Sequence, residues 1–278
     1  MGKRGGYNLN DCNFYILAVQ MLDSSILQCT LKIASTGEDC MQYIMQKLEQ
    51  QRNLYFGLKY KCSPTVYRWI DFRKPLKKQL MKHAYEFKLY FSVMFYVSNP
   101  ELLSNSTERY CYYLQLKSDI ITGRLFGPPE KSILCASYSL QAEFGDYDPL
   151  KQNEESLRNF TLLPLHMTKS AQILEGIVKQ ALHGHEQLKG MSQADAELAY
   201  IKEAKNFDGY GEEYFSGHDE EKAEIFLGYC LSGIVVKRIQ SSPTSCALLI
   251  SLKCPFPKLQ TLGILNFEME RNQENNVQ

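Results

Sequence analysis

The sequence predicts an α+β fold built in lobes, and three observations carry that expectation. Apolar residues alternate at a two-residue period in several segments of roughly the first hundred positions. They recur at helical spacing up to residue 204, and a strand-like apolar run returns from Ile225 onward. Breaker signals mark both changes: Asn99-Pro100 precedes the helical stretch and Gly209-Tyr210-Gly211 follows it. A hydrophobic content of 44% in 278 residues is enough for packed cores. The formal net charge of zero argues against non-specific nucleic-acid binding, so no nucleic acid is expected as a partner.

In the first segment, "FYILAVQML" reads as a strand and Asp23-Ser24 as a hairpin turn. The return strand, "SILQCTLKIA", alternates Leu27, Cys29, Leu31 and Ile33 with Gln28, Thr30 and Lys32, the pattern of a half-buried strand. Ser35-Thr36-Gly37-Glu38 matches a capping box, with Ser35 as the cap and Glu38 reaching back. The helix it opens carries Cys40, Ile44 and Leu48 on one face, widened by Met41 and Met45. "YFGLKY" and "VYRWIDF" are extended. A final strand, "LYFSVMFYV", is expected to point Leu89, Phe91, Val93, Phe95 and Val97 to one side. Hairpin, helix, then further strands is the order of a ubiquitin-like β-grasp, placed at residues 10–98.

Residues 99–204 read as a helical lobe. "ELLSNSTERYCYYLQLKSDIITGR" is its first helix, with Tyr110 and Leu114 one turn apart. Gly127-Pro128-Pro129 opens the second, since proline suits a first helical turn. That helix stops at Gly145 and enters the turn Asp146-Tyr147-Asp148-Pro149. Phe144 and Tyr147 are expected to pack the helix end against its own lobe, while Asp146 or Asp148 caps backbone amides. "AQILEGIVKQAL" repeats Leu174, Ile177, Val178 and Ala181, and "SQADAELAYIKEAKNF" begins with a cap from Ser192 to Asp195. Strand character returns at "EIFLGYCLSGIVVKR".

A β-grasp segment, a helical segment containing "QAEFGDYDP", then "AELAYIKEAKNFDGYGEEYF" and a strand resembles the FERM domain. That resemblance implies three lobes: ubiquitin-like, acyl-CoA-binding-protein-like and pleckstrin-homology-like. "PLKKQL", "FSVMFYVSNPELL" and "RYCYYLQLKSDI" look most like the FERM domain of Pez-type non-receptor tyrosine phosphatases, and the likeness runs from Asn10 to Arg238. A FERM third lobe is a seven-stranded sandwich closed by a helix, so residues 205–238 supply only its start and a truncated third lobe is expected. Residues 239–278, with Pro243, Pro255 and Pro257, read as a divergent, poorly ordered tail whose runs "CALLISL" and "LGILNF" have strand character.

Nine cysteines without a C-x-x-C pair suit reduced thiols, not a disulfide framework or a zinc site; no metal or cofactor is expected. His183 and His185 read as surface residues. Cys62 and Arg68 have the six-residue spacing of a tyrosine-phosphatase loop, but Lys61 precedes the cysteine, glycine is absent, and Val66-Tyr67-Arg68-Trp69 begins a strand. No catalytic residue is therefore expected.

The strongest functional signal is basic: "FRKPLKKQLMKHAYEFK" gathers Arg73, Lys74, Lys77, Lys78, Lys82 and Lys88 in a neutral protein. If Pro75 opens a short helix, Leu76 and Leu80 face inward while Lys77, Lys78 and Lys82 stay solvated. The FERM resemblance implies that Arg73 and Lys74 contribute to a phosphoinositide site where the first and third lobes meet. Arg73, Lys74, Lys77, Lys78 and Lys82 form the candidate surface for anionic phospholipid. The start, "MGKRGGYNLN", has no apolar run of a signal peptide, so a cytoplasmic protein peripheral to membrane or junctions is expected. The resemblance implies a non-catalytic adaptor for cytoplasmic tails of membrane proteins and junction or cytoskeletal proteins. The alternative is the N-terminal targeting segment of a non-receptor protein tyrosine phosphatase.

Overall fold

The computed structural model describes residues 13–51, 54–152, 163, 167, 171–218, 224–230, 233–240 and 248–254. The chain divides into two compact units, residues 1–204 and 205–278.

Strands β1 (Phe14–Gln20) and β2 (Ile26–Lys32) form an antiparallel hairpin, from Phe14 opposite Lys32 to Gln20 opposite Ile26. The Asp23 carboxylate accepts the Ser25 amide at 3.0 Å and holds the turn. Helix α1 (Gly37–Lys47) is capped one residue later than the sequence suggests. The Glu38 amide donates to the Phe72 carbonyl, so Thr36 and Asp39 exchange the reciprocal cap bonds in place of Ser35 and Glu38. Of the expected stripe, Cys40, Met41, Ile44 and Met45 are buried, whereas Leu48, the residue that caps the helix, is half-buried.

β3 (Phe56–Lys61), β4 (Tyr67–Trp69), helix α2 (Leu76–His83) and β5 (Lys88–Val93) complete a five-stranded sheet of order β2-β1-β5-β3-β4. β1 and β5 run parallel, and the other pairings are antiparallel. The inner face closes over Leu17, Val19, Cys29, Leu58 and Leu89, with the rings of Phe56 and Phe91 stacked 5.1 Å apart. β5 ends sooner than the alternation implied. The Met94 and Phe95 amides both donate to the Tyr55 carbonyl, which breaks the ladder and turns Phe95 out to solvent. Val97 is buried nonetheless.

The helix read from Glu101 to Arg124 is two elements. Pro100–Leu102 is a 3-10 turn. Helix α3 (Ser106–Ile121) begins where Asn105 accepts the Thr107 and Glu108 amides at 2.8 and 3.3 Å. α4 (Pro129–Phe144), α5 (Ala171–Glu186) and α6 (Gln193–Ala204) follow. α4 packs on α5 around Ala136, Leu140, Val178, Ala181 and Leu182, and both α3 and α4 pack on α6. Ser192 caps α6 as expected, accepting the Asp195 amide at 3.2 Å.

A polar clamp ties the sheet to the helices. The side-chain oxygen of Gln115 accepts the Val93 amide at 3.1 Å, and the Tyr112 hydroxyl accepts the Val97 amide at 2.8 Å. Asp119 accepts from both Gln115 and the Tyr96 hydroxyl and lies 3.6 Å from Arg124. All three clamp residues of α3 sit at spacings of three to four on one helix face.

The second unit is an antiparallel meander of β6 (Glu213–His218), β7 (Glu224–Cys230), β8 (Gly233–Gln240) and β9 (Leu248–Cys254), in that order. "EIFLGYCLSGIVVKR" is thus two strands of a hairpin. β9 falls inside the segment read as a tail, where its seven residues pair with β8 from Ile234 opposite Cys254 to Gln240 opposite Leu248. The expectation of disorder, as it concerns residues 241–247 and 255–278 with the run "LGILNF", lies outside the described residues.

Candidate membrane-binding surface

The turn before α2 is fastened from within the helix. The Gln79 side chain accepts the Asp71 amide at 2.9 Å and donates to the carbonyls of Asp71 and Lys74. Pro75 precedes the first helical residue, and the Leu76 amide donates to the Ser35 carbonyl at 2.9 Å. Leu76 and Leu80 are buried, as the helical spacing predicted. Their burial sets the opposite face of α2 toward solvent.

The five basic residues therefore fall on one short stretch, but in different settings. Arg73 and Lys74 lie in the turn, and Lys74 pairs with Asp71 at 3.2 Å. The Asp71 carboxyl is held below its ordinary range, first by the Arg73 amide and then by Lys74. Lys77 is half-buried with its amine 5.4 Å from the centre of the Tyr15 ring. Lys78 and Lys82 are exposed on the outer face of α2. No carboxylate lies on α2, and the only one between Leu76 and Val93 is Glu86. Glu86 is occupied by the Tyr90 hydroxyl and by Lys61 at 3.5 Å. Hydrogen bonding to these two partners lowers its pKa.

A second cationic feature escaped sequence reasoning. On the outer side of the sheet the Lys59 amine lies 4.9 Å from the Tyr67 ring centre, and Lys61 lies 5.3 Å and Lys88 5.0 Å from that of Tyr90. Tyr67 and Tyr90 meet edge to face at 5.1 Å. The signal was the lysine alternation in "GLKYK", which places both amines on the same sheet face.

The acidic, aromatic turn after α4 is structural. Gly145, at φ 71°, ends the helix. Asp146 accepts the Gly190 amide at 2.7 Å and the Gln141 side chain at 3.0 Å, while Asp148 accepts the Leu150 amide. Tyr147 packs on the helical core, as expected, whereas Phe144 stays largely exposed. His183 is exposed, but His185 is not a surface residue. It is fully buried, bonds the Gly145 carbonyl at 2.8 Å and meets the Tyr147 ring edge to face. The spacing Val178, Ala181, Leu182, His185 places it on the inward face of α5, a signal present in the sequence.

Cys62 and Arg68 sit on a β-hairpin, not a phosphate-cradling loop. Lys61 pairs with Tyr67, and both the amide and the thiol of Cys62 donate to the Val66 carbonyl. Among the described residues, Cys29, Cys40, Cys62, Cys111 and Cys135 are free thiols, and no group of side chains is arranged to hold a metal ion. No described helix is long and apolar enough to cross a membrane.

Comparison with known proteins matches residues 19–82 to the FERM N-terminal domain and residues 98–215 to the FERM central domain. The tyrosine-protein phosphatase non-receptor type 14 of Mus musculus is 38% identical over 231 residues, covering 83% of this chain and 19% of its own length. The type 21 phosphatase of Rattus norvegicus is 36% identical over 237 residues, covering 85% and 20%. Band 4.1-like protein 3 of Homo sapiens is 33% identical over 220 residues, covering 79% and 19%. The chain thus spans about a fifth of the length of these relatives. Among solved structures, the FERM and C-terminal domain complex of Drosophila Merlin superposes with a TM-score of 0.70 at 22% identity. That match covers 86% of this chain and 79% of the other. The C-terminal MyTH4-FERM domain of human Myosin 7b, solved with the harmonin-a PDZ3 domain, gives 0.63 at 16% identity, covering 88% and 52%. These two structures speak to the fold alone.

Proposed function

From the premise that the chain belongs to the FERM family, of which it carries the N-terminal and central domains, we propose that it is a non-catalytic adaptor. In this reading it docks on the cytoplasmic face of a membrane, or on tails of membrane proteins there, and connects them to cortical cytoskeleton. The observation that carries the reading is the surface of Arg73 and Lys74 in the turn and Lys77, Lys78 and Lys82 on α2, a helix without a single carboxylate. Near an anionic leaflet each such charge contributes about 1 kcal/mol. The attraction is therefore weak, local and salt-sensitive in a protein whose formal net charge is zero. Protein tails would engage an open strand edge of the four-stranded sheet by backbone pairing.

Sedimentation with phosphatidylserine-containing vesicles tests it. Charge reversal at Lys74, Lys77 and Lys78 should remove binding at low salt. Wild-type protein that stays in the supernatant, or a reversed protein that still sediments, defeats the lipid part of the proposal.

The identity of 36–38% to two non-receptor tyrosine phosphatases favours a second reading. There the chain is the targeting segment of a phosphatase whose catalytic domain lies on a longer product. Sequencing of full-length transcripts decides it: a continuation encoding a phosphatase domain supports the reading, and its absence from all transcripts removes it.

A further inference from the structure

The basic surface contains an apolar element that charge alone does not explain. On α2, Leu76 and Leu80 are buried, which directs the positions half a turn away outward. Those positions hold Lys78 and Lys82, and beside Lys78 in the helical projection lies Met81, 72% exposed. The cap residue Ala84 ends the helix, and the next residue, Tyr85, is 65% exposed. Tyr85 is fixed at its backbone, where its amide donates to the Lys61 carbonyl at 2.7 Å. Beyond it, Phe87 meets the Tyr15 ring edge to face at 6.0 Å, and the Lys77 amine lies 5.4 Å from the centre of the same ring. Met81 and Tyr85 are thus both exposed, one in the last turn of α2 and the other just past its cap, on the segment that carries Lys78 and Lys82.

We infer that Met81 and Tyr85 form a wedge that enters the headgroup and upper acyl region of an anionic phospholipid bilayer, with Lys78 and Lys82 seated on lipid phosphates beside it. The inference rests on the lipid reading above and assigns the second contact that reading lacks. A polybasic patch alone holds a membrane weakly, and stable attachment takes a second signal. Met81 is unbranched and adapts to disordered surroundings. Tyr85 has an apolar ring and a polar tip, the combination enriched at membrane–water interfaces. Lysine stems can lie along the apolar boundary while the amines stay at the phosphates. Charge complementarity selects an anionic bilayer: Lys77, Lys78 and Lys82 stand on a helix whose own sequence holds no carboxylate.

The test separates wedge from charge. Partition onto phosphatidylcholine vesicles with about a quarter phosphatidylserine is measured at low salt and at about 0.5 M salt, where the Debye length falls to roughly 4 Å. Three proteins are compared: wild type, Met81→Ser/Tyr85→Ser, which keeps every charge, and Lys78→Glu/Lys82→Glu, which keeps the wedge. Both serine sites are exposed, so the core stays intact, and a cooperative thermal transition checks this. The serine pair should weaken low-salt binding about tenfold or more and lose the salt-resistant fraction of the wild type. The glutamate pair should lose low-salt binding. As a second reading, tryptophan placed at Met81 should shift to the blue on vesicle addition and be quenched by brominated acyl chains. Serine variants that bind like wild type at both salts overturn the wedge and leave the electrostatic reading standing. Wild type that fails to bind anionic vesicles overturns both. Binding to soluble polyglutamate with none to vesicles assigns the surface to an acidic protein and likewise overturns the wedge.

Discussion

His185 shows how one buried side chain makes a turn sensitive to pH. Its Nε2 faces the Gly145 carbonyl, which can only accept, so the neutral ring carries its proton there. Nδ1 is then a bare acceptor, buried without a partner. Protonating it would place a charge and an unmatched N–H beneath Tyr147. Burial accordingly lowers the His185 pKa, against smaller opposing effects of the Gly145 bond and the Asp146 carboxylate. Above the ordinary histidine value of about 6.5 both folded and unfolded chains are neutral here, and the contribution to stability is complete. As pH falls below that value the unfolded chain takes up a proton that the folded chain resists, and stability is lost until the lowered folded pKa is passed. A glutamine side chain at this position could keep the donor to Gly145 without titrating. The urea midpoint of wild type relative to His185→Gln should therefore drop as the pH is lowered from about 7.5 to about 5.5. A difference that stays constant across that range would remove the argument.

Elements in this protein are joined by contacts whose cost can be stated. α4 and α5 approach so closely at Gly184 that an added Cβ would lie 2.4 Å from the Ser137 hydroxyl oxygen. That hydroxyl cannot withdraw freely, because its single proton is shared between the carbonyls of Ala181 at 3.0 Å and Ile133 at 3.2 Å. In an open helix Gly→Ala stabilises by roughly 0.5–1 kcal/mol. Here Gly184→Ala should instead destabilise by about 1–3 kcal/mol through overpacking, read from chemical denaturation. A stabilised variant would show that the two helices separate easily. The clamp between sheet and helices gives a second case. Asp119→Ala would leave the buried Gln115 amide without this acceptor and remove one partner each from the Tyr96 hydroxyl and Arg124. A loss of about 1–3 kcal/mol is expected, read from chemical denaturation. The sequence disclosed α3 through its apolar spacing, though not the Asn105 cap that starts it. It could not disclose the clamp, since Val93 and Gln115 meet only once two separate lobes are folded.

At the scale of the whole chain, periodic patterning made the first unit legible almost element by element, because each sheet face and helix stripe has a repeating apolar side. What it misjudged were positions governed by single hydrogen bonds: the cap at Thr36, the break after Val93, and the buried His185. The second unit was harder for a related reason. Its strands follow one another through short connections, and "CALLISL", flanked by prolines, carries no alternation that would mark it as a partner for β8. Hydrogen exchange distinguishes the two views. β7 and β8 each have a bonded neighbour on both sides, while β6 and β9 are bonded on one side only among the described residues. Amides in Glu224–Cys230 and Gly233–Gln240 should therefore exchange slowest in this unit, with partial protection in Leu248–Cys254, where only part of the backbone can donate to β8. If the amides of Leu248–Cys254 exchange at the rate of an unfolded peptide, β9 is not a strand and β8 becomes the open edge. The site for a pairing peptide would then move one strand inward, and a β8-directed proline substitution such as Val235→Pro would have to abolish tail binding, whereas with β9 in place Leu252→Pro should do so.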